Sequence, residues 1–115
     1  MKVIIAGSRG FSNFKFMTEA MDKILSRQTE VEIISGTANG ADKLGEAYAK
    51  MRNFNIIRMP ADWTKYGKSA GYKRNVKMAS IADAVVVFWD NQSKGSKHMI
   101  DIAKERNLPL RVIKY

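Results

Sequence analysis

The chain alternates between short apolar runs and longer stretches in which apolar residues recur every three or four positions. Lys2–Ala6 is a near-continuous apolar run closed by Gly7, the pattern of a strand covered on both faces. After the loop Gly7-Ser8-Arg9-Gly10-Phe11-Ser12, the positions Met17, Ala20, Met21, Ile24 and Leu25 set one apolar stripe along a helix. Val31–Ile34 is a second strand, and Ala41, Leu44, Gly45, Tyr48 and Ala49 repeat the helical stripe. Asn55–Met59 reads as a third strand, Ala84–Trp89 as the strongest, and Leu110–Ile113 as a fifth. Gly95 opens a helix reaching to about Arg106, which Asn107-Leu108-Pro109 ends.

Pro60–Tyr72 breaks this rhythm. It carries Pro60, Gly67 and Gly71 with no clear periodicity, yet Trp63 and Tyr66 argue for an ordered loop, because disordered segments are poor in aromatics. A short helix, Lys73–Ile81, is expected to follow it.

Five strands alternating with four helical patterns predict an α/β fold: a Rossmann-like three-layer sandwich whose five-stranded parallel sheet has the order 3-2-1-4-5, with helices on both faces. Strands one and four then lie side by side where the winding reverses, and a crevice opens beyond their carboxyl ends. The loops at Gly7, Ser35, Asp90 and Pro60–Tyr72 all leave from that edge, so a single site is expected.

The length of 115 residues predicts one domain spanning 1–115. With no cysteine and one histidine, His98, the chain offers no thiolate site and no multi-histidine metal centre, and no cofactor is implied. The opening run Met1–Gly7 is too short for a signal peptide or a membrane span, so a cytoplasmic protein with no membrane partner is expected. Twenty Lys and Arg against 11 Asp and Glu leave a formal charge of +9, which favours anionic partners. From Thr64 to Lys77 come Lys65, Lys68, Lys73, Arg74 and Lys77 with no acidic residue among them. A solvated basic loop is the competing explanation for that stretch.

Val31–Asp42 holds the most chemical information. A β-branched run stops at Ser35-Gly36, and Gly40 opens a helix at Ala41. Such a turn gathers free backbone N–H groups and the positive end of a helix dipole, which suits a phosphate or carboxylate. Thr37 and Asn39 add polar groups. Asp42 falls in the first helical turn, where stabilisation of the helix start and a role toward a ribose hydroxyl or catalysis both fit. Gly7-Ser8-Arg9-Gly10 offers a close backbone approach, a hydroxyl and a two-pronged oxyanion grip, although a tight turn with a surface arginine has the same letters. It matches neither the dinucleotide nor the triphosphate fingerprint. Arg74 and Asn75 sit where the irregular loop becomes a helix, and Ser93-Lys94-Gly95-Ser96 opens the helix after strand four as a second anion site or a plain capping turn. His98, one turn on, reads more readily as a packing residue than as an acid or base.

Taken together, G-S-R after strand one, S-G-x-A-x-G-A-D after strand two, A-D-W-x-K-Y-G-K-x-A-G-x-x-R-N, and A-D-x-V-V-x-F-W-D followed by S-x-G-S-x-H-M-I resemble the YspA (YpsA-related) branch of the SLOG superfamily. That superfamily also holds the LOG phosphoribohydrolases and the Smf/DprA DNA-processing proteins. The resemblance implies a Rossmann-like sheet that binds nucleotides or nucleotide-derived ligands, with signalling or phage-conflict roles. Phosphate would sit among the N–H groups after Gly36 and Gly95, ringed by Ser8, Ser96, Arg9 and Arg74, with Trp63 or Tyr66 over the base. The expected binding set is Gly7, Ser8, Arg9, Ser35, Gly36, Thr37, Gly40, Asp42, Trp63, Arg74, Asn75, Ser93, Gly95 and Ser96.

Arg74-Asn75-Val76-Lys77-Met78 is similar to the R-K-x-x-M segment of the LOG enzymes, and Ser93–Met99 stands where they carry G-G-x-G-T-x-x-E. Met99 falls on the catalytic glutamate position, and a thioether can neither take a proton nor stabilise a cationic ribose. A metal-independent nucleotide N-glycosidic hydrolase therefore needs a carboxylate from Asp42, Asp62, Asp90 or Asp101, with Arg74 and Asp42 the candidate catalytic residues. Nucleic-acid binding of the DprA type is the third expectation. Related domains often pair, so a homo-oligomer is expected too, although no apolar stripe marks a dimer face.

Overall fold

The computed structural model describes residues 1–115. Its five strands, β1 (Lys2–Gly7), β2 (Glu32–Ser35), β3 (Asn55–Arg58), β4 (Ala84–Trp89) and β5 (Leu110–Lys114), form one sheet of order β3-β2-β1-β4-β5. All neighbours pair in parallel, with Ile4 beside Ile34 on one side of β1 and Gly7 beside Phe88 on the other. The expected topology is the observed one.

Alternation along β1 builds two cores. Val3 and Ile5 join Met17 and Met21 of α1 (Phe14–Ile24) and Tyr48 and Ala49 of α2 (Ala41–Met51) on one face. Ile4 and Ala6 join Met78 and Ala79 of α4 (Ala70–Ile81) and Met99, Ile100 and Ala103 of α5 (Lys94–Glu105) on the other. The helices change face between β3 and β4, which puts the reversal at the β1–β4 pair.

The helices end as local chemistry requires. Asn13 caps α1 by accepting from the Phe16 N–H at 3.0 Å. Asn53 and Asn107 follow α2 and α5 in the left-handed region, with φ of 60° and 54°, and the next residues, Phe54 and Leu108, donate back to Ala49 and Ala103.

The stretch 60–72 departs from expectation. It is not a loop throughout: Trp63–Tyr66 forms one helical turn (α3), Gly67–Ser69 a 3₁₀ turn, and α4 begins at Ala70 rather than Lys73. The reason lies in Asp62, whose Oδ1 accepts from the Lys65 N–H at 3.0 Å and starts the turn, while Gly67, at φ 56°, ends it. No helix is long and apolar enough to cross a membrane.

Candidate functional site

Two glycines allow the loops of the carboxyl edge to meet. A Cβ on Gly7 would lie 2.2 Å from the Phe88 carbonyl oxygen, and one on Gly40 would lie 2.4 Å from the carbonyl oxygens of Ser8 and Arg9. Gly40 also has φ 80°, which a side chain would strain. Ser8, 1% exposed, fastens the junction. Its N–H donates to Phe88 at 2.9 Å, its carbonyl accepts from Phe11 and Ala41, and its hydroxyl oxygen accepts from the Asp90 N–H at 3.0 Å. Ser8 and Gly40 thus support the site from beneath, and Arg9, exposed beside them, reaches its wall.

The turn after β2 is set by a buried carboxylate. The Ser35 hydroxyl donates to Glu46 Oε2 at 2.7 Å and accepts from the Thr37 N–H at 3.0 Å, holding Thr37 at φ 66°. Arg58 Nε donates to the other Glu46 oxygen at 2.8 Å. Burial raises the Glu46 pKa, but the Ser35 and Arg58 bonds outweigh it and the net direction is downward. Next along the chain, the Ala38 N–H donates to Asp42 Oδ2 at 3.1 Å. The two amides after Gly36, expected to face an anion, therefore bond to Ser35 and Asp42. Ser35 itself is fully buried below the pocket.

The cavity lies between these turns and the starts of α4 and α5. It measures about 440 Å³, within the roughly 300–1,000 Å³ typical of small-molecule sites. Gly7, Arg9, Asp42, Trp63, Arg74, Asn75, Ser93, Gly95 and Ser96 line it, all of them expected from the sequence. Gly36 and Thr37 line an adjoining recess that shares Arg9, Ala38, Trp63 and Arg74 with it. Ala6, Ala38, Lys68, Gly71, Tyr72, Met78 and Met99 complete the main wall. Of these, Lys68 comes from the basic stretch and Tyr72 from the irregular segment; the 3₁₀ turn Gly67–Ser69 brings Lys68 to the wall and the helix starting at Ala70 brings Tyr72. Tyr66 instead faces a separate recess with Lys73 and Lys77.

Charge is unevenly spread. Arg74 donates through Nη1 to the Gly36 carbonyl and through Nε to Asn75 Oδ1 at 3.0 Å. Asn75 Nδ2 in turn donates to the Gly95 carbonyl at 3.3 Å and lies 3.2 Å from His98 Nδ1. Burial pulls the Arg74 pKa below its ordinary value, with Asp42 opposing the shift. Burial pushes the Asp42 carboxyl up to about 6, against the Ala38 N–H and Arg74. At the start of α5, Ser93 Oγ accepts from the Ser96 N–H at 3.2 Å, while the N–H groups of Lys94 and Gly95 have no carbonyl within the helix to pair with. The space around Gly95 is open, and a Cβ there would touch nothing within 4 Å. Trp63, 53% exposed, stands at the rim against Gly71. No group of three His, Cys, Asp or Glu side chains comes together to hold a metal ion.

A parallel sheet of this order, with a cavity at its switch point, defines a Rossmann-like α/β domain with a crevice of the ligand-binding kind. Residues 1–66 match the family model described as YAcAr: YspA, cpYpsA-related SLOG family, and the chain belongs to that family. It is 29% identical over 116 residues to the Gene 61 protein of Mycobacterium phage D29, covering 95% of this chain and 93% of that protein. Among solved structures it is similar to DNA processing protein A (DprA) from Streptococcus pneumoniae, with a TM-score of 0.75 and 20% identity over 96% of this chain and 49% of that one. It is also similar to DNA processing protein A from Helicobacter pylori, whose structure concerns single-stranded DNA binding, with a TM-score of 0.69 and 22% identity over 97% of this chain and 64% of that one. The chain thus spans about half to two thirds of the length of those structures, and the likeness is one of fold.

Proposed function

We propose that the cavity binds a nucleotide or nucleotide-derived ligand by its phosphate and that the domain acts as a cytoplasmic sensor. One observation carries this reading: Arg9, Arg74 and Gly95, whose N–H has no partner within α5, line a single cavity at the sheet's switch point. The phosphate sits toward Arg9, Arg74, Ser96 and Gly95 rather than after Gly36, because the amides there already have partners. The Asp42 carboxylate is placed to accept from a ribose hydroxyl, and Trp63 covers the base. The similarity to a phage protein fits a phage-conflict setting.

A thermal-shift screen of mono-, di-, tri- and cyclic nucleotides with NAD and ADP-ribose tests the reading. At least one should raise the melting temperature of the wild-type chain and not of Arg74→Ala; no shift with any of them would sink it.

A second reading rests on Asp42, whose raised pKa at the cavity wall suits an acid in N-glycosidic cleavage. Chromatography of nucleoside monophosphates after incubation would show released base, and Asp42→Asn should abolish the release. Binding of single strands through the basic stretch 64–77 is the remaining reading, marked by affinity that falls steeply with salt.

A further inference from the structure

A groove of about 580 Å³ lies beside the cationic cavity, and Tyr72 and Ser93 line both. Its other walls include Trp89, Asn91, Gln92, Lys94, Lys97 and His98. The cavity offers arginines, whereas the groove adds flat rings and carboxamides beside Lys94 and a Lys97–Asp101 pair closed at 2.6 Å, and its rings and carboxamides suit a planar, hydrogen-bonding group.

The divider between the two spaces is held in place. The Trp89 indole N–H donates to the Ser93 carbonyl at 3.1 Å, fixing the ring against the turn that opens α5. Asp90 Oδ1 accepts from the N–H groups of Gln92 and Ser93 at 2.8 and 2.9 Å, shaping the same turn. Tyr72, 46% exposed, stands with its ring centroid 4.3 Å from that of His98, and His98 meets the Asn75 amide that also bonds Gly95. Groove and cavity therefore meet at Ser93, where α5 presents its first N–H groups.

The geometry points to a two-headed ligand: a phosphate-bridged molecule with one nucleoside in the cationic cavity, the bridge at Ser93, and a second ring-bearing group against Trp89. This inference rests on the nucleotide reading above and deepens it. A pyrophosphate-linked dinucleotide and a phosphodiester-linked one share this chemistry.

The chain has two tryptophans, one at each space, so fluorescence separates them. Trp63→Phe leaves Trp89 as the reporter of the groove, and Trp89→Phe leaves Trp63 as the reporter of the cavity. The probes are AMP and GMP, the corresponding dinucleoside pyrophosphates, and the dinucleoside monophosphates ApA and GpG. A two-headed probe should quench both reporters, and a mononucleotide only Trp63. Calorimetry on the wild-type chain should give the better two-headed probe a Kd lower by about tenfold or more, as expected for one added stacked base. The tighter of the two linkages then identifies the bridge. A dinucleotide no tighter than its mononucleotide, a silent Trp89, or an equal Trp89 response to AMP would overturn the inference and leave the nucleotide reading standing. No binding by any probe would overturn both.

Discussion

Arg74 donates through Nη1 to the carbonyl oxygen of Gly36, 38 positions earlier in the chain. That bond draws the guanidinium over the turn after β2 and sets it facing the cavity, with Asn75 Oδ1 holding Nε from the other side. A single side chain thus joins the two halves of the site and supplies its most enclosed positive charge.

Arg74→Ala should weaken nucleotide binding by roughly 1.5–3 kcal/mol, the range for a hydrogen bond to a charged group. Arg74→Lys should recover only part of it, since an ammonium cannot hold Gly36 and Asn75 and still present a flat fork to a phosphate. Calorimetry on the two variants measures this, and unchanged affinity in Arg74→Ala would remove the residue from the site.

Asp42 should leave a signature in stability. Its folded pKa, about 6, lies above the ordinary 3.8, so the folded chain binds this proton more tightly than the unfolded chain does. Its contribution therefore becomes more favourable as pH falls between those values, and above about 6 the buried charge costs on the order of 3 kcal/mol. Asp42→Asn keeps an oxygen for the Ala38 N–H and removes the charge. Melting temperatures followed across that window should show the variant gaining on the wild type as pH rises, and parallel curves would contradict the assignment.

Glu46 has the opposite sign. Its lowered pKa gives stability that is present above its ordinary 4.5 and is lost as pH falls through the folded value. Glu46→Ala leaves the buried Ser35 hydroxyl and the half-exposed Arg58 without their partner and should destabilise the chain by about 1–3 kcal/mol in urea unfolding. It should also weaken ligand binding, because the Thr37 turn loses its anchor.

Two glycine substitutions should part company. Gly7→Ala drives a methyl into the Phe88 carbonyl and should cost about 2–4 kcal/mol of stability. Gly95→Ala meets no atom within 4 Å and removes a flexible residue from a helix, so stability should hold or rise by about 0.5–1 kcal/mol. Gly95 nonetheless lines the cavity, so an added methyl beside the phosphate position should lower nucleotide affinity. Urea titration paired with calorimetry separates the two effects.

The sheet was legible because its signal is long-range and redundant. Val3–Ala6 and Ala84–Trp89 are apolar throughout, as strands with helices on both faces must be, and right-handed crossovers leave few arrangements. The glycine turns and the start of α5 were legible for a related reason, since few residues other than glycine and hydroxyl caps fit there. The three-residue advance of α4 was harder to read: Asp62 and Gly67 carry the signal, but a single turn has no periodicity to betray it. Ser8 and Ser35 looked like ligand donors because a buried strut and a phosphate contact call for the same small hydroxyl. Only the identity of their partners, Asp90 and Glu46, tells the two roles apart, and those partners are brought near by folding.

Because every strand runs the same way, the connections at 25–31, 52–54, 82–83 and 106–109 emerge at the end of the sheet opposite the cavity. A dye, an affinity handle or a tether to a sensor chip grafted there leaves the crevice unobstructed, so immobilised protein can be titrated with small molecules without the attachment masking the response.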